Sequence, residues 1–327
     1  MATIFYESDA DLSALAELPI ALIGYGNQGR AHALNLRESG LTVWVGSRPD
    51  SRARAAATAD GFTPRTIPEA VENCPVLALM LPDEALPHVY QEHIEPYLRP
   101  FSTFVFAHGF TVRHNTIRLP EDADVLLVAP TGPGRQLRSL YEEGKGLPAL
   151  IAVQQDASGL AWQRCLAYAH GIGSTRAGAI KTTFEEETIT DLYCEQAVLC
   201  GGMPELIKAA FETLVERGYQ PELAYISCLK EVKLIADLLF AAGIDGMRSA
   251  ISNTAKYGSA VAGPKLVDAR TVKELNDLLS DIESGAFARS FLADTRAGSQ
   301  TVKLLMASER HSKLAKVGHE LRDSLSF

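Results

Sequence analysis

Two carboxylates stand four residues apart in TDLYCEQAVLCGG, the run from Thr190 to Gly202, which is apolar apart from those acids, Thr190 and Gln196. On a helix, Asp191 and Glu195 share one face. Burying two unpaired carboxylates costs several kcal/mol or forces protonation. A divalent cation removes that cost, because Mg²⁺ takes oxygen ligands, often one or two carboxylates together with water and substrate oxygens. Pairing with Lys or Arg, or a wet edge, would remove it as well.

A second chemistry-bearing stretch is Gly24-Tyr25-Gly26-Asn27-Gln28-Gly29, a GxGxxG between the strand-like PIALIG and a helical pattern. The first glycine permits a tight turn, the second lets a pyrophosphate approach the backbone, and the third lets helix and strand pack closely. The helix beyond offers free N–H groups and a positive dipole end to phosphates. The competing reading is a structural glycine turn without cofactor. Cofactor choice is read at the end of the next strand, in VGSRPDSRAR. Arg48, Arg52 and Arg54, with the Ser51 hydroxyl, can hold a 2′-phosphate, whereas Asp50 would favour a free 2′-hydroxyl. The balance points to NADPH, with NADH possible; a solvated helix start is the alternative role for the arginines.

The elements that must position these residues follow from periodicity. PIALIG, LTVWVGS, VLALML, TFVFAH, VLLVAP and ALIAV are strand-like and alternate with helical segments such as NQGRAHALNLRESG. That alternation implies parallel βαβ units and a doubly wound sheet. After about residue 182 the pattern turns helical, in ELIKAAFETLVERG, ELAYISCLKEVKLIADLLFAAG and TVKELNDLLSDIESG, each closed by a stopping glycine. Thr182 or Thr183 can cap a helix opened by Glu185, Glu186 and Glu187. The expected division is residues 1–182 for dinucleotide binding and 183–327 for a helical metal, substrate and dimerisation domain.

A chain of 327 residues suits about two domains. Its formal net charge of −9 argues against a nucleic-acid partner. The five cysteines lack metal-type spacing and read as buried free thiols in a reducing compartment. The acidic start, MATIFYESDADLSAL, lacks a signal-peptide layout, and VLALML is too short to span a bilayer. The expectation is a cytoplasmic protein with no membrane partner.

GYGNQGRAHALNLRESG, FAHGF, APTGPG, QDASG, TTFEEETITDLYCEQAVLCGG, ERGYQPELAY and ISNTAKYG, in this order, resemble ketol-acid reductoisomerase in its short form, from about residue 4 to 325. The resemblance implies a Rossmann-type α/β domain followed by an all-helical domain, and a homodimer with a shared active site. It also implies an activity: conversion of an acetohydroxy acid to a 2,3-dihydroxy acid in branched-chain amino-acid biosynthesis. In that reaction two Mg²⁺ ions promote an alkyl shift, and NADPH then reduces the resulting 2-keto acid.

Residue by residue, the resemblance makes Asp191 and Glu195 the first metal-binding pair, with Asp191 bridging, and Glu231 one member of the second pair. Ser227 stands where the family has that pair's other glutamate, and Lys230 where it commonly has histidine. Thr131 replaces an active-site lysine, Arg135 a histidine, Lys256 a glutamate and Ser259 an aspartate. His108 matches the catalytic-site histidine, Ser252 the substrate-contacting serine, Gly134 a cofactor-contacting glycine and Asp83 a cofactor-proximal acid. The catalytic candidates are thus His108, Glu195, Ser252 and Lys230. The metal candidates are Asp191, Glu195 and Glu231, for one or two ions. The cofactor candidates are Gly24, Tyr25, Gly26, Asn27, Gln28, Gly29, Arg48, Ser51, Asp83 and Gly134. Loss of one ligand at Ser227, and of a lysine at Thr131, opens two further readings: a reductase of a small 2-keto acid that no longer isomerises, and a silent cofactor-binding subunit paired with an active paralogue.

Overall fold

The computed structural model describes residues 2–324. The chain divides into two compact units between Thr188 and Ile189. The first is built on eight strands: β1 (Ile4–Phe5), β2 (Ile20–Ile23), β3 (Val43–Gly46), β4 (Val76–Leu79), β5 (Thr103–Phe106), β6 (Asp124–Pro130), β7 (Ala149–Gln155) and β8 (Ala179–Lys181). They form one sheet in the order β1-β8-β7-β6-β5-β4-β2-β3. The connections include α1 (Asn27–Glu38), α2 (Arg52–Ala59), α3 (Ile67–Asn73), α4 (Gly134–Glu142) and α5 (Ala161–Gly171).

Both sheet faces are covered, which explains why β2, β4 and β5 read as unbroken apolar runs. Successive side chains go to opposite cores. Ile20, Leu22, Val76, Ala78 and Val105 join one, while Ala21, Ile23, Leu77, Leu79 and Phe104 join the other. Two features depart from an all-parallel expectation. The pairs β6–β7 and β1–β8 are antiparallel, while β3-β2-β4-β5-β6 and β7-β8 are parallel. A strand's apolar pattern reads the same in either direction, so periodicity carries no signal for this. β1 and β8, of two and three residues, are too short to show a period.

The antiparallel turn beyond β7 is held by a buried carboxylate. Asp124 accepts from the Ala157 and Ser158 amides at 3.0 Å each, from the Ser158 hydroxyl and from the Arg164 guanidinium at 2.7 Å. This is the structural work of the QDASG motif. With its oxygens so occupied, the acid tolerates burial.

The second unit is helical, and none of its described residues lies in a strand. Its helices are α6 (Phe184–Cys194), which begins in the first unit, α7 (Gly202–Glu216), α8 (Pro221–Tyr225), α9 (Val232–Ala250), α10 (Asn253–Leu266), α11 (Ala269–Glu283), α12 (Ala286–Arg296), α13 (Gln300–Arg310) and α14 (Lys313–Ser324). Thr183 rather than Thr182 caps α6, accepting from the Glu186 amide at 3.0 Å. The segment expected as one helix through FAAG is instead α8, a π-helical turn Ile226–Lys230 and α9, with Gly243 at φ 68° breaking the last. The buried core of this unit is small: Phe211, Ala224, Tyr225, Val317 and Leu321. The cysteines are all free, but only Cys74 and Cys165 are buried, and Cys200 is exposed. The expectation of five buried thiols fails because the apolar run holding Cys200 lies at the unit's surface.

One buried group makes stability depend on pH. His32, on α1, is fully enclosed, with Nδ1 3.1 Å from the Tyr168 hydroxyl. Burial pushes its pKa down from 6.5 to about 3. Below pH 6.5 the unfolded chain takes a proton that the folded chain refuses. Stability from this site is therefore full above pH 6.5 and lost as pH falls toward 3, by up to about 1.4 kcal/mol per pH unit. Urea midpoints measured from pH 7.5 to 4.5 should fall more steeply in wild type than in a His32→Asn variant; parallel profiles would refute the assignment.

Candidate active site

The glycine turn is where the first unit can take a dinucleotide. Gly24 has φ +102°, and an added Cβ would lie 2.5 Å from the Met80 carbonyl oxygen. Gly26 is the N-cap of α1, and its amide neighbours lead straight into the helix: Arg30 N–H donates to the Gly26 carbonyl at 2.9 Å. A Cβ on Gly26 would meet nothing within 4 Å. That open space above a helix N-terminus is the cradle a pyrophosphate requires. Gly134, the first residue of α4, lies so close to α1 that a Cβ would run into the Asn27 carbonyl. The Gln28 amide also donates to the Gly132 carbonyl at 2.8 Å. Two helix N-termini are thereby brought together at the turn. The residues fit a dinucleotide, although Tyr25 does so through its backbone alone. Its side chain is buried, its hydroxyl donates to Asp60 at 2.9 Å and its ring packs edge-on to Phe62. Burial, and then the hydrogen bond to Asp60, hold that phenol well above its ordinary pKa.

At the end of β3 the four candidate phosphate ligands separate. Arg48 and Arg52 are exposed beside exposed Asp50. Ser51 is the N-cap of α2, accepting from the Arg54 amide at 3.2 Å and donating to the Arg48 carbonyl at 2.9 Å. The Arg54 guanidinium reaches the Pro64 and Arg65 carbonyls, so it braces the loop.

FAHGF follows β5. His108 Nδ1 lies 3.5 Å from Asp83 Oδ2, both side chains being about a quarter exposed, at 24% and 29%. Asp83 also accepts from the Thr111 hydroxyl at 3.3 Å. The glycine after the histidine is required by packing: a Cβ there would run into the Thr188 hydroxyl and lie 2.6 Å from the Phe184 carbonyl oxygen, on α6. This close approach lets the Gly109 amide donate to Glu187 at 2.7 Å. Glu187 is only 2% exposed, and it and His108 place ligand-type atoms within 4.8 Å of each other. Sequence reading missed Glu187 as a site residue, counting it only among three acids at a helix start. The signal that could have found it was position: it lies four residues before Asp191, so one helical face carries Glu187, Asp191 and Glu195 in series.

In the helical unit the acids sit where the α-helices change pitch. α6 ends at Cys194, and Glu195 opens a π-helical turn, Glu195–Leu199, closed by the Cys200 amide on the Glu195 carbonyl at 2.8 Å. The glycine pair in LCGG follows from this turn, since side chains at Gly201 and Gly202 would run into the Gln196 and Ala197 carbonyls. The second π turn, Ile226–Lys230, is closed by the Glu231 amide on the Ile226 carbonyl at 3.1 Å, and it carries Ser227 and Lys230. Glu195, Ser227 and Glu231 are exposed, while Asp191 and Lys230 are partly buried. π turns recur at functional sites. Asp191, Glu195 and Glu231 offer carboxylate oxygen only, the donor chemistry that fits a hard dication. Ser252 is the N-cap of α10, accepting from the Ala255 amide at 3.2 Å. Thr131 is exposed, and its hydroxyl is engaged by the Pro148 carbonyl at 3.0 Å.

Two family models cover these units. The one described as Acetohydroxy acid isomeroreductase, NADPH-binding domain, matches residues 14–178, and the one described as Ketol-acid reductoisomerase, C-terminal domain, matches residues 184–327. The chain belongs to the ketol-acid reductoisomerase family. It is an NAD(P)H-dependent oxidoreductase of that family. A solved NADH-preferring ketol-acid reductoisomerase from an uncultured archean shares 38% identity, over 99% of this chain and 100% of that one, with a TM-score of 0.96. More distant structures share the fold alone. A semialdehyde dehydrogenase NAD-binding protein from Cupriavidus necator has 19% identity over 82% of this chain and 99% of its own, with a TM-score of 0.62. A pyrroline-5-carboxylate reductase from Coxiella burnetii has 14% identity over 82% and 98%, with a TM-score of 0.56.

The glycine geometry separates binding from folding. Gly26→Ala should change stability by less than about 1 kcal/mol while weakening dinucleotide binding about tenfold or more, because the methyl takes the phosphate's space. Gly134→Ala should cost about 1–3 kcal/mol of stability through overpacking. Urea denaturation and fluorescence titration test both, and wild-type affinity in Gly26→Ala would contradict the cradle.

Proposed function

We propose that this ketol-acid reductoisomerase-family chain uses a reduced nicotinamide and Mg²⁺, as one or two ions, to convert an acetohydroxy acid to a 2,3-dihydroxy acid. The observation that carries this reading is the set of carboxylates of one helical unit, Asp191 on α6, Glu195 opening the π turn that follows it and Glu231 closing the second π turn, in a chain whose other unit bears the dinucleotide cradle. Bound Mg²⁺ would supply Lewis acidity toward the substrate's hydroxyl and carbonyl oxygens. Asp191, Glu195 and Glu231 would hold and orient it. Asp83, 3.5 Å from His108 Nδ1, keeps a proton on that nitrogen and leaves Nε2 as the basic atom. Lys230 contributes positive charge toward an anionic substrate. The Ser252 hydroxyl, already capping α10, can donate its proton to a substrate oxygen while still accepting from Ala255.

Large apolar side chains exposed on the helical unit support a homodimer that completes the site: Phe240 is 93% exposed, Tyr257 74% and Leu304 69%. Large apolar side chains exposed to this degree are what a protein–protein contact covers. Among the described residues no helix is long and apolar enough to cross a membrane, and a cytoplasmic setting is consistent with that.

A second reading is favoured by the π turn that carries Glu231. It places the neutral Ser227 and the cationic Lys230 beside that acid. Three carboxylates and one ammonium balance a single dication more closely than two. Such a site suits reduction of an already rearranged 2-keto acid better than the alkyl shift. Purified protein with NADPH and Mg²⁺ should consume cofactor with both 2-acetolactate and 3-hydroxy-3-methyl-2-ketobutyrate if the complete reaction operates. Consumption with the second alone supports the reductase, and silence with both refutes the two readings together.

Cofactor preference rests on Arg48 and Arg52, whose exposed guanidiniums suit a 2′-phosphate. Arg48→Gln with Arg52→Gln should raise KM for NADPH by about tenfold and leave KM for NADH nearly unchanged. Equal effects on both would remove these arginines from the preference, and better use of NADH by wild type would reverse it.

A further inference from the structure

The helical unit contains a cavity of about 570 Å³ that none of the candidate site residues lines. Its volume lies within the range of small-molecule sites. The apolar wall is Ile207 from α7, Tyr225, Leu229 and Leu314. Tyr225 is fixed there: it is 6% exposed, and at Gly318 on α14 a Cβ would come within 2.8 Å of its ring. Charged groups stand at the rim. Lys208 pairs with Glu205 at 3.6 Å, so those two largely cancel. What remains is Arg322 facing the cavity with Glu212 and Glu309; none of the three makes an ion pair with another described residue.

We propose that this cavity binds the zwitterion of an apolar α-amino acid, with its carboxylate on Arg322, its ammonium on Glu212 or Glu309 and its side chain against Tyr225 and Leu229. Guanidinium matches a carboxylate with two parallel hydrogen bonds. A carboxylate without an ammonium would meet two acids, and an amine without a carboxylate would leave Arg322 unserved, so the lining asks for both charges on one apolar molecule. The location has a consequence. Leu229 belongs to the π turn Ile226–Lys230 and Tyr225 precedes it. A ligand held against them steadies the turn that presents Glu231.

The test is calorimetric titration of leucine and of phenylalanine into the full-length protein, beside 3-methylbutylamine and 4-methylpentanoate for the first and 2-phenylethylamine and 3-phenylpropanoate for the second, which each lack one charge. At least one amino acid should bind, and each single-charge analogue of it should bind about tenfold or more weakly. Arg322→Gln should lose a similar factor while binding dinucleotide like wild type, which reports that it has folded. Hydrogen exchange over residues 226–231 should slow when the amino acid is added to wild type. Failure of both amino acids to bind overturns the proposal, as does equal binding of a single-charge analogue or unchanged affinity in Arg322→Gln. Should Arg322→Gln alter only the sedimenting mass, the cavity is a contact between copies of the chain and the proposal also falls.

Discussion

Backbone meets backbone at the carboxyl ends of the central strands, and the rest of the first unit is arranged around that contact. Gly134 on α4 touches the Asn27 carbonyl of α1, Gly24 lies against the Met80 backbone, and Gln28 ties the glycine turn to Gly132. Methyl groups at those positions have nowhere to go. What the close approach creates is a rigid edge with one opening, above Gly26, where two helix N-termini offer partial positive charge. Rigidity matters because a phosphate cradle works only if its amides are already aimed when the ligand arrives.

Acids in this chain divide by how their charge is met. Asp124 and Glu187 are almost fully buried, and amide donors reach both. Those bonds offset the loss of water, so the acids hold loops and helices in register. Asp191, Glu195 and Glu231 keep partial or full exposure. Water therefore reaches all three, unlike the two buried acids. Glu187 links the two groups, because its carboxylate is spent on Gly109, next to His108, while its helix continues to Asp191. A single helix therefore carries an acid that positions the FAHGF loop and, one turn on, the partly exposed Asp191.

The helical unit is held by a modest core around Phe211, Tyr225 and Leu321 while long apolar side chains cover α9, α10 and α13 outside it. Helical periodicity buries one stripe and leaves the opposite face polar when a helix meets solvent. Here several helices have apolar residues on more than one side, so their sequence anticipates a neighbour beyond the chain's own core. Two π turns lie in this unit, next to Glu195 and Glu231, and a third, Tyr90–Ile94, lies in the first unit. Each displaces the residues that follow it by one residue's rotation, which re-aims Glu231, at the end of its turn, relative to a continuous α-helix.

The alternation of apolar strands and amphipathic helices, the glycine turn and the shift to purely helical patterning after residue 182 were legible from sequence, because each follows from local periodicity and from residues with unusual backbone freedom. Motif order along the chain likewise identified the family, which the two domain matches and the archaeal structure bear out. Strand direction at β6–β7, the short β1 and β8, and the π turns were not legible, since none leaves a periodic signature. Nor could local spacing show that Tyr25 and Arg54 are spent on bracing, or that Glu187 is buried against Gly109. Those outcomes depend on which groups distant segments bring within hydrogen-bond reach. The sequence sets which side chains can accept, donate or carry charge, while the tertiary fold decides which of them already have a partner and which are left to bind something else.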